Sequence, residues 1–171
     1  MFYHYNYITP LCLPTQDYVV SVLQNRAYLN GTRYYTSPDA FLYFFSRLLS
    51  CPGAHTLRTS TLALLQKRIL ERVGAPGDAV ELGMRLLAAL NTQAGVAGME
   101  RVWESDLMKL RDLQCMDGGW EIGWLCKYGS SGVEIGNRGL CTAFAVKAIQ
   151  GFEEEEVNSR NKRTAVLRRN S

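Results

Sequence analysis

Gln114-Cys115-Met116-Asp117-Gly118-Gly119-Trp120 lies between two amphipathic stretches, and how it is read decides the fold. Before it, Met99, Val102, Trp103, Leu107, Leu110 and Leu113 or Gln114 recur at intervals of three and four, which predicts a helix over about Gly98 to Cys115. Asp-Gly-Gly then signals a turn. A long Gly-rich connection follows, until Asn137 supplies a cap for a further helix whose buried side is Leu140, Phe144, Ala145, Ala148, Ile149 and Phe152. Beyond Phe152, Glu153 to Glu156 and the basic end read as frayed or disordered.

Working back towards the start, the same logic gives four more helices. Asp78-Ala79-Val80-Glu81 has the form of a capping box, and Val80, Met84, Leu87 and Leu90 or Asn91 continue helically to Gly95. Leu62, Leu65, Ile69 and Val73 form one stripe of a helix over about Thr59 to Val73. Ser37-Pro38-Asp39 starts another, with a capping serine, a proline suited to the first turn and an acid at the positive helix end; Phe41, Phe44, Phe45, Leu48 and Leu49 follow. Gln16 to Leu29 completes the set, although Val19, Val20 and Val22 weaken its helical preference. No stretch alternates as a strand bounded by hairpin turns. The expectation is an all-α fold of about six main helices packed as helical hairpins.

Size and charge narrow the classes. With 171 residues, 47% of them hydrophobic, one domain with a substantial core is expected, over residues 1–157, followed by a basic tail at 158–171. That tail holds Arg160, Lys162, Arg163, Arg168 and Arg169 with no acid, so a net charge of +3 leaves the remainder at −2. There is no argument for a basic nucleic-acid-binding body. The longest apolar runs, such as Phe41 to Phe45 and Leu62 to Leu65, are far too short to cross a bilayer. Met1 to Asn6 lacks the basic region and apolar stretch of a secretory signal, so a cytoplasmic location is expected. Cys12, Cys51, Cys115, Cys126 and Cys141 show no CxxC pair, and only His4 and His55 are available to help bind a metal. Free buried thiols are expected, with no metal and no cofactor.

Q-x-x-D-G-G-W at a helix end resembles the glutamine–tryptophan repeat of the terpenoid cyclase and protein prenyltransferase superfamily. The resemblance implies an α/α-toroid of inner and outer helices, here a partial one, in which the glutamine ties helix ends and the tryptophan ring stacks on it. The clear match covers residues 114–120, with a looser one over Leu110 to Ile149. Trp120-Glu121-Ile122-Gly123-Trp124, Tyr128-Gly129-Ser130-Ser131-Gly132 and Ile135-Gly136-Asn137-Arg138-Gly139 are also similar to fungal relatives of these proteins. So are residues 25–35 followed by Ser37-Pro38-Asp39-Ala40-Phe41. Asn30-Gly31-Thr32-Arg33-Tyr34-Tyr35 faintly parallels Asp117-Gly118-Gly119-Trp120, at a distance that suits two helical-pair repeats of roughly 43 residues.

The catalytic motifs of that superfamily are absent. Protonation-type cyclases use D-x-D-D, because starting a carbocation takes a strong acid held among carboxylates, and no two aspartates are adjacent here. D-D-x-x-D, which gathers magnesium around a diphosphate, is missing too, and the Asp, Cys, His zinc set of the prenyltransferases has no good histidine. The catalytic residues are therefore unknown. What remains is an aromatic connection. Trp120, Trp124 and Tyr128 could line an apolar pocket or simply pack as clamp and core. Arg138, aided by Ser130 and Ser131, could hold an anion, or could pair with Asp117 or Glu121. Tyr34 and Tyr35 belong beside that loop if the repeat holds.

Three functions follow as expectations. One is a toroid domain that binds an isoprenoid-like or other apolar small molecule through Trp120, Trp124, Tyr128, Asp117, Glu121, Arg138, Tyr34 and Tyr35. The second is a helical-repeat scaffold for a protein partner or for its own oligomer. The third is a non-standard cyclase in which Asp117 and Glu121 are the available carboxylates.

Overall fold

A computed structural model of the protein describes residues 13–96, 102–129 and 131–169, without the side chains at 163 and 165–169. The expected starting residues Gly98 and Met99 of the fifth helix, together with His4, Cys12 and Ser130, lie outside the described residues. The fold is mostly helical: α1 (Leu13–Gln24), α2 (Pro38–Leu49), α3 (His55–Leu70), α4 (Ala79–Thr92), α5 (Glu104–Asp112) and α6 (Arg138–Arg169). Between α5 and α6 a small antiparallel hairpin pairs β1 (Trp124–Tyr128) with β2 (Val133–Gly136).

α4 sits at the centre. Val80, Leu82, Met84, Leu86, Leu87, Ala88 and Ala89 are all buried, so it is apolar nearly all round, as a helix enclosed by others must be. It touches α2, α3, α5 and α6, while α1 leans on α3. Its start follows the expected capping box: Val80 and Glu81 N–H groups donate to Asp78 Oδ1 at 3.0 and 2.9 Å, and Asp78 N–H donates to Glu81 Oε2 at 3.1 Å. α2 likewise begins on Ser37, whose hydroxyl accepts from Asp39 N–H at 3.2 Å, with Pro38 in the first turn.

Several expectations are corrected. The all-α reading missed the hairpin. Tyr128, Val133, Cys126 and Ile135 alternate with Lys127 and Glu134 in the observed register, but each strand is only five or four residues long and part of a Gly-rich run that reads as loop. The first helix stops at Gln24, because Arg26 turns left-handed at φ 54° and a short 3₁₀ turn, Ala27–Asn30, follows. α3 begins four residues before Thr59, at His55. α4 ends at Thr92 with Gln93 in the left-handed conformation, not at Gly95. α6 does not stop near Phe152; it runs for 32 residues to Arg169. Finally, the four described cysteines are free, but only Cys141 is buried.

Candidate functional site

The Gln114–Trp120 turn closes on itself and then ties α5 to α6. Cys115 N–H donates to the Gly119 carbonyl at 2.7 Å, Gly118 N–H to the Cys115 carbonyl at 2.9 Å, and the Gln114 side-chain amide to the Gly118 carbonyl at 2.8 Å. The glutamine thus braces its own loop. The tie to a helix end comes from Trp120, whose indole N–H donates to the Leu110 carbonyl at 2.7 Å, in the last turn of α5 where carbonyls lack helical partners. Its backbone N–H reaches across to the Thr142 hydroxyl on α6 at 3.2 Å. Only 2% of Trp120 is exposed. Trp103 repeats the device, donating its indole N–H to the Ala94 carbonyl just past α4 at 2.8 Å, a parallel that its place in a helical stripe concealed.

Arg138 and Asp117 form the ion pair foreseen as one of two alternatives. One guanidinium nitrogen of Arg138 lies 2.6 and 2.7 Å from the two carboxylate oxygens. Gly119 makes room for it: a Cβ there would fall 2.9 Å from that nitrogen. The guanidinium, followed by the Gly119 N–H, holds the Asp117 carboxyl below its ordinary range, and the carboxylate in turn raises Arg138. Glu121 accepts from the Cys115 thiol at 3.4 Å.

The hairpin is pinned to the start of α4. Gly123 N–H donates to Cys141 Sγ at 3.0 Å and Trp124 N–H to Asp78 Oδ2 at 3.4 Å, so Asp78 caps α4 with one oxygen and holds β1 with the other. A Cβ on Gly123 would lie 2.7 Å from Asp78 Oδ2, so only glycine allows that approach. Burial raises the Cys141 thiol, with the nearby Asp78 charge acting the same way. On its other side β1 meets Tyr34: Lys127 N–H donates to the Tyr34 carbonyl at 2.7 Å. The Asn30–Tyr35 loop therefore touches the connection that follows the Gln114–Trp120 turn.

Of the eight proposed site residues, Trp120 lies in the core. Trp124 is 47% and Tyr128 71% exposed, and Tyr34 and Tyr35 lie open on the surface beside them. Ser131 closes the hairpin turn by donating to the Tyr128 carbonyl at 2.6 Å. The arrangement leaves these four aromatic side chains exposed, Tyr35 packing edge-on against Phe44 at 5.3 Å, with the Asp117–Arg138 pair and Glu121 on the turn before β1. Among the described residues, no three His, Cys, Asp or Glu side chains gather as a metal site would, and no helix is long and apolar enough to cross a membrane.

Sequence reasoning missed a buried charge network. Arg85 on α4 donates to Asp39 at 2.7 Å and to Asp106 at 3.3 Å, all three side chains being fully enclosed. It also reaches the Ala75 and Pro76 carbonyls at 2.7 and 3.1 Å. Arg72 approaches Asp39 from the surface side at 3.1 Å, and Gly74 N–H donates to Asp106. Burial disfavours the Arg85 charge, but the bonds to Asp39 and the charges of Asp39 and Asp106 outweigh it, and its pKa is raised. The available signal was an arginine inside the apolar run Val80 to Ala89.

Against known proteins, the chain is 45% identical over 139 residues to the drimenol cyclase drtB of Aspergillus calidoustus. The match takes in 80% of this chain and 25% of that protein, so the chain spans about a quarter of the length of the relative it matches. The two share partial homology, and this chain corresponds to a terpene-cyclase-like region. No protein-family model matches the chain, and no solved structure does.

Proposed function

We propose that the chain is a terpenoid-cyclase-like helical unit, arranged as part of an α/α-toroid, whose exposed aromatic side chains receive an isoprenoid-like or other apolar molecule. The observation that carries the reading is the 45% identity over 139 residues to a drimenol cyclase. The Gln114–Trp120 turn supports it, since it links α5 to α6, here through Trp120 while Gln114 braces its own loop. With Trp120 enclosed, ligand contact falls to Trp124, Tyr128, Tyr34 and Tyr35, whose faces suit an apolar chain or a developing cation. Asp117, Glu121 and Arg138 supply the polar margin. No pair of neighbouring aspartates is present to act as a protonating acid, so the reading is one of binding.

The test uses the whole chain with farnesol and farnesyl diphosphate. Saturable quenching of tryptophan fluorescence is expected, weakened at least severalfold by Trp124→Ala or Tyr128→Ala, with the products sought by gas chromatography and mass spectrometry. Absence of saturable binding to both compounds would overturn the proposal. A cyclised product that disappears in Asp117→Asn and Glu121→Gln would replace it with the reading of a non-standard cyclase.

A further inference from the structure

α6 outruns the body it packs on. Its inward stripe begins with Cys141, Ala145 and Ala148, all buried, and Phe152, partly so. At the same spacing of three and four the stripe continues as Glu155, Ser159 and Lys162, which changes its chemistry from apolar to charged while the helix persists to Arg169. Between this overhang and α5 an open cleft of about 480 Å³ remains, with Val96, Leu107, Met108 and Phe152 among its apolar lining and Glu155 and Glu156 at its edge. Most helical stability in proteins comes from packing an amphipathic face against something else.

The charge along the overhang is strongly polarised. Residues 153–156 are all glutamate, whereas Arg160, Lys162, Arg163, Arg168 and Arg169 follow with no acid among them. A helix that is acidic first and basic afterwards is complementary to itself when reversed. We propose that the overhang of α6 pairs antiparallel with that of a second copy of this chain, about a two-fold axis near Ser159. That register sets position 155 opposite 163 and position 156 opposite 162, which the sequence makes an acidic position against a basic one in each case. Each opposition occurs twice by symmetry, as a closed dimer requires. In the single chain Arg111 takes Glu153 at 3.0 Å and Arg160 takes Glu156 one turn away. Both pairs are exposed, so exchanging them for contacts across the dimer costs little. The apolar lining of the cleft lies along the same contact.

The proposal is independent of any ligand and is tested by the mass of the whole chain in solution, from light scattering and equilibrium sedimentation. At low salt the chain is expected to dimerise with rising concentration, and about 1 M salt, where the screening length falls to roughly 3 Å, should weaken the dimer strongly. Glu155→Lys with Glu156→Lys makes the four opposed positions wholly basic; Lys162→Glu with Arg163→Glu makes them wholly acidic. Each variant alone should lose about tenfold or more in dimer affinity, and an equimolar mixture of the two should recover it as a mixed dimer. Circular dichroism verifies that both stay helical, and the salt dependence of the unaltered chain holds whatever the variants do. A chain that stays monomeric at low salt would overturn the proposal. So would a dimer indifferent to both reversals, which would point to another surface such as the hairpin, and so would a mixture that fails to recover.

Discussion

The Asp39–Arg85–Asp106 network and the Asp117–Arg138 pair use the same two side-chain types at nearly the same separation, 2.7 Å at Arg85–Asp39 and 2.6 Å at Arg138–Asp117. The first is sealed among α2, α4 and α5 with no exposure at any of the three side chains, whereas the second leaves 42% of Arg138 and 59% of Asp117 in water. Distance alone therefore says little about what an ion pair does. In the interior each charge has given up its water, so removing one partner strands the others. At the surface, water and salt take up the slack, so the pair links the turn to the start of α6 while adding little to stability.

The largest effect should come from Arg85→Met. Methionine is long enough to fill much of the space but leaves Asp39 with Arg72 as its remaining cation and Asp106 with Gly74 N–H and the distant Lys109. A loss of about 3–5 kcal/mol is expected, read as a lower urea midpoint with an unchanged slope. A loss below about 1 kcal/mol would mean that the interior network behaves like the surface pair, and the contrast would collapse.

Trp120→Phe sharpens the comparison, because Trp120 is the buried anchor beneath the exposed ion pair. The substitution keeps an aromatic ring but removes the donor to the Leu110 carbonyl. About 1–3 kcal/mol is expected from the unsatisfied carbonyl and the smaller ring. The change should exceed that of any substitution in the Asp117–Arg138 pair, since the indole rather than the salt bridge fastens the turn. Equal effects at the two places would show the salt bridge to be the fastener.

What the sequence made legible was local. The Ser37 and Asp78–Glu81 caps depend on residues two and three apart, and the Asp-Gly-Gly turn carries its own signal, so each is found where expected. The hairpin was not legible, because its strands are held from afar: Trp124 by Asp78 and Lys127 by Tyr34, partners invisible to a window of a dozen residues. The end of α6 misled for the opposite reason. Four successive glutamates look unable to pack, yet exposed pairs one turn apart, such as Glu156 with Arg160, can sustain a helix that buries little. Of the candidate site, the placing of Tyr34 beside the second connection was one conditional reading, and the enclosure of Trp120 was one of two open readings. Arg85 was visible as a charge in an apolar helix, but its partners came from α2 and α5, where Asp39 had already been given a local role at the helix start.

Asp117→Asn should produce the smallest change. The carboxylate is largely exposed and its native pKa is depressed, first by the Arg138 guanidinium and then by the Gly119 N–H. A depressed native pKa means that folding favours the ionised form, so the contribution is complete above the ordinary aspartate pKa of about 3.9 and disappears as pH falls through the lower native value. Comparing urea midpoints of the unaltered chain and Asp117→Asn should therefore show a small gap near neutral pH that is narrowed by salt and closes at strongly acidic pH. Asparagine can still accept from Gly119 N–H, so the turn itself should survive. If the gap matched that of Arg85→Met, or widened as the pH fell, exposure would not be what separates the two constructions.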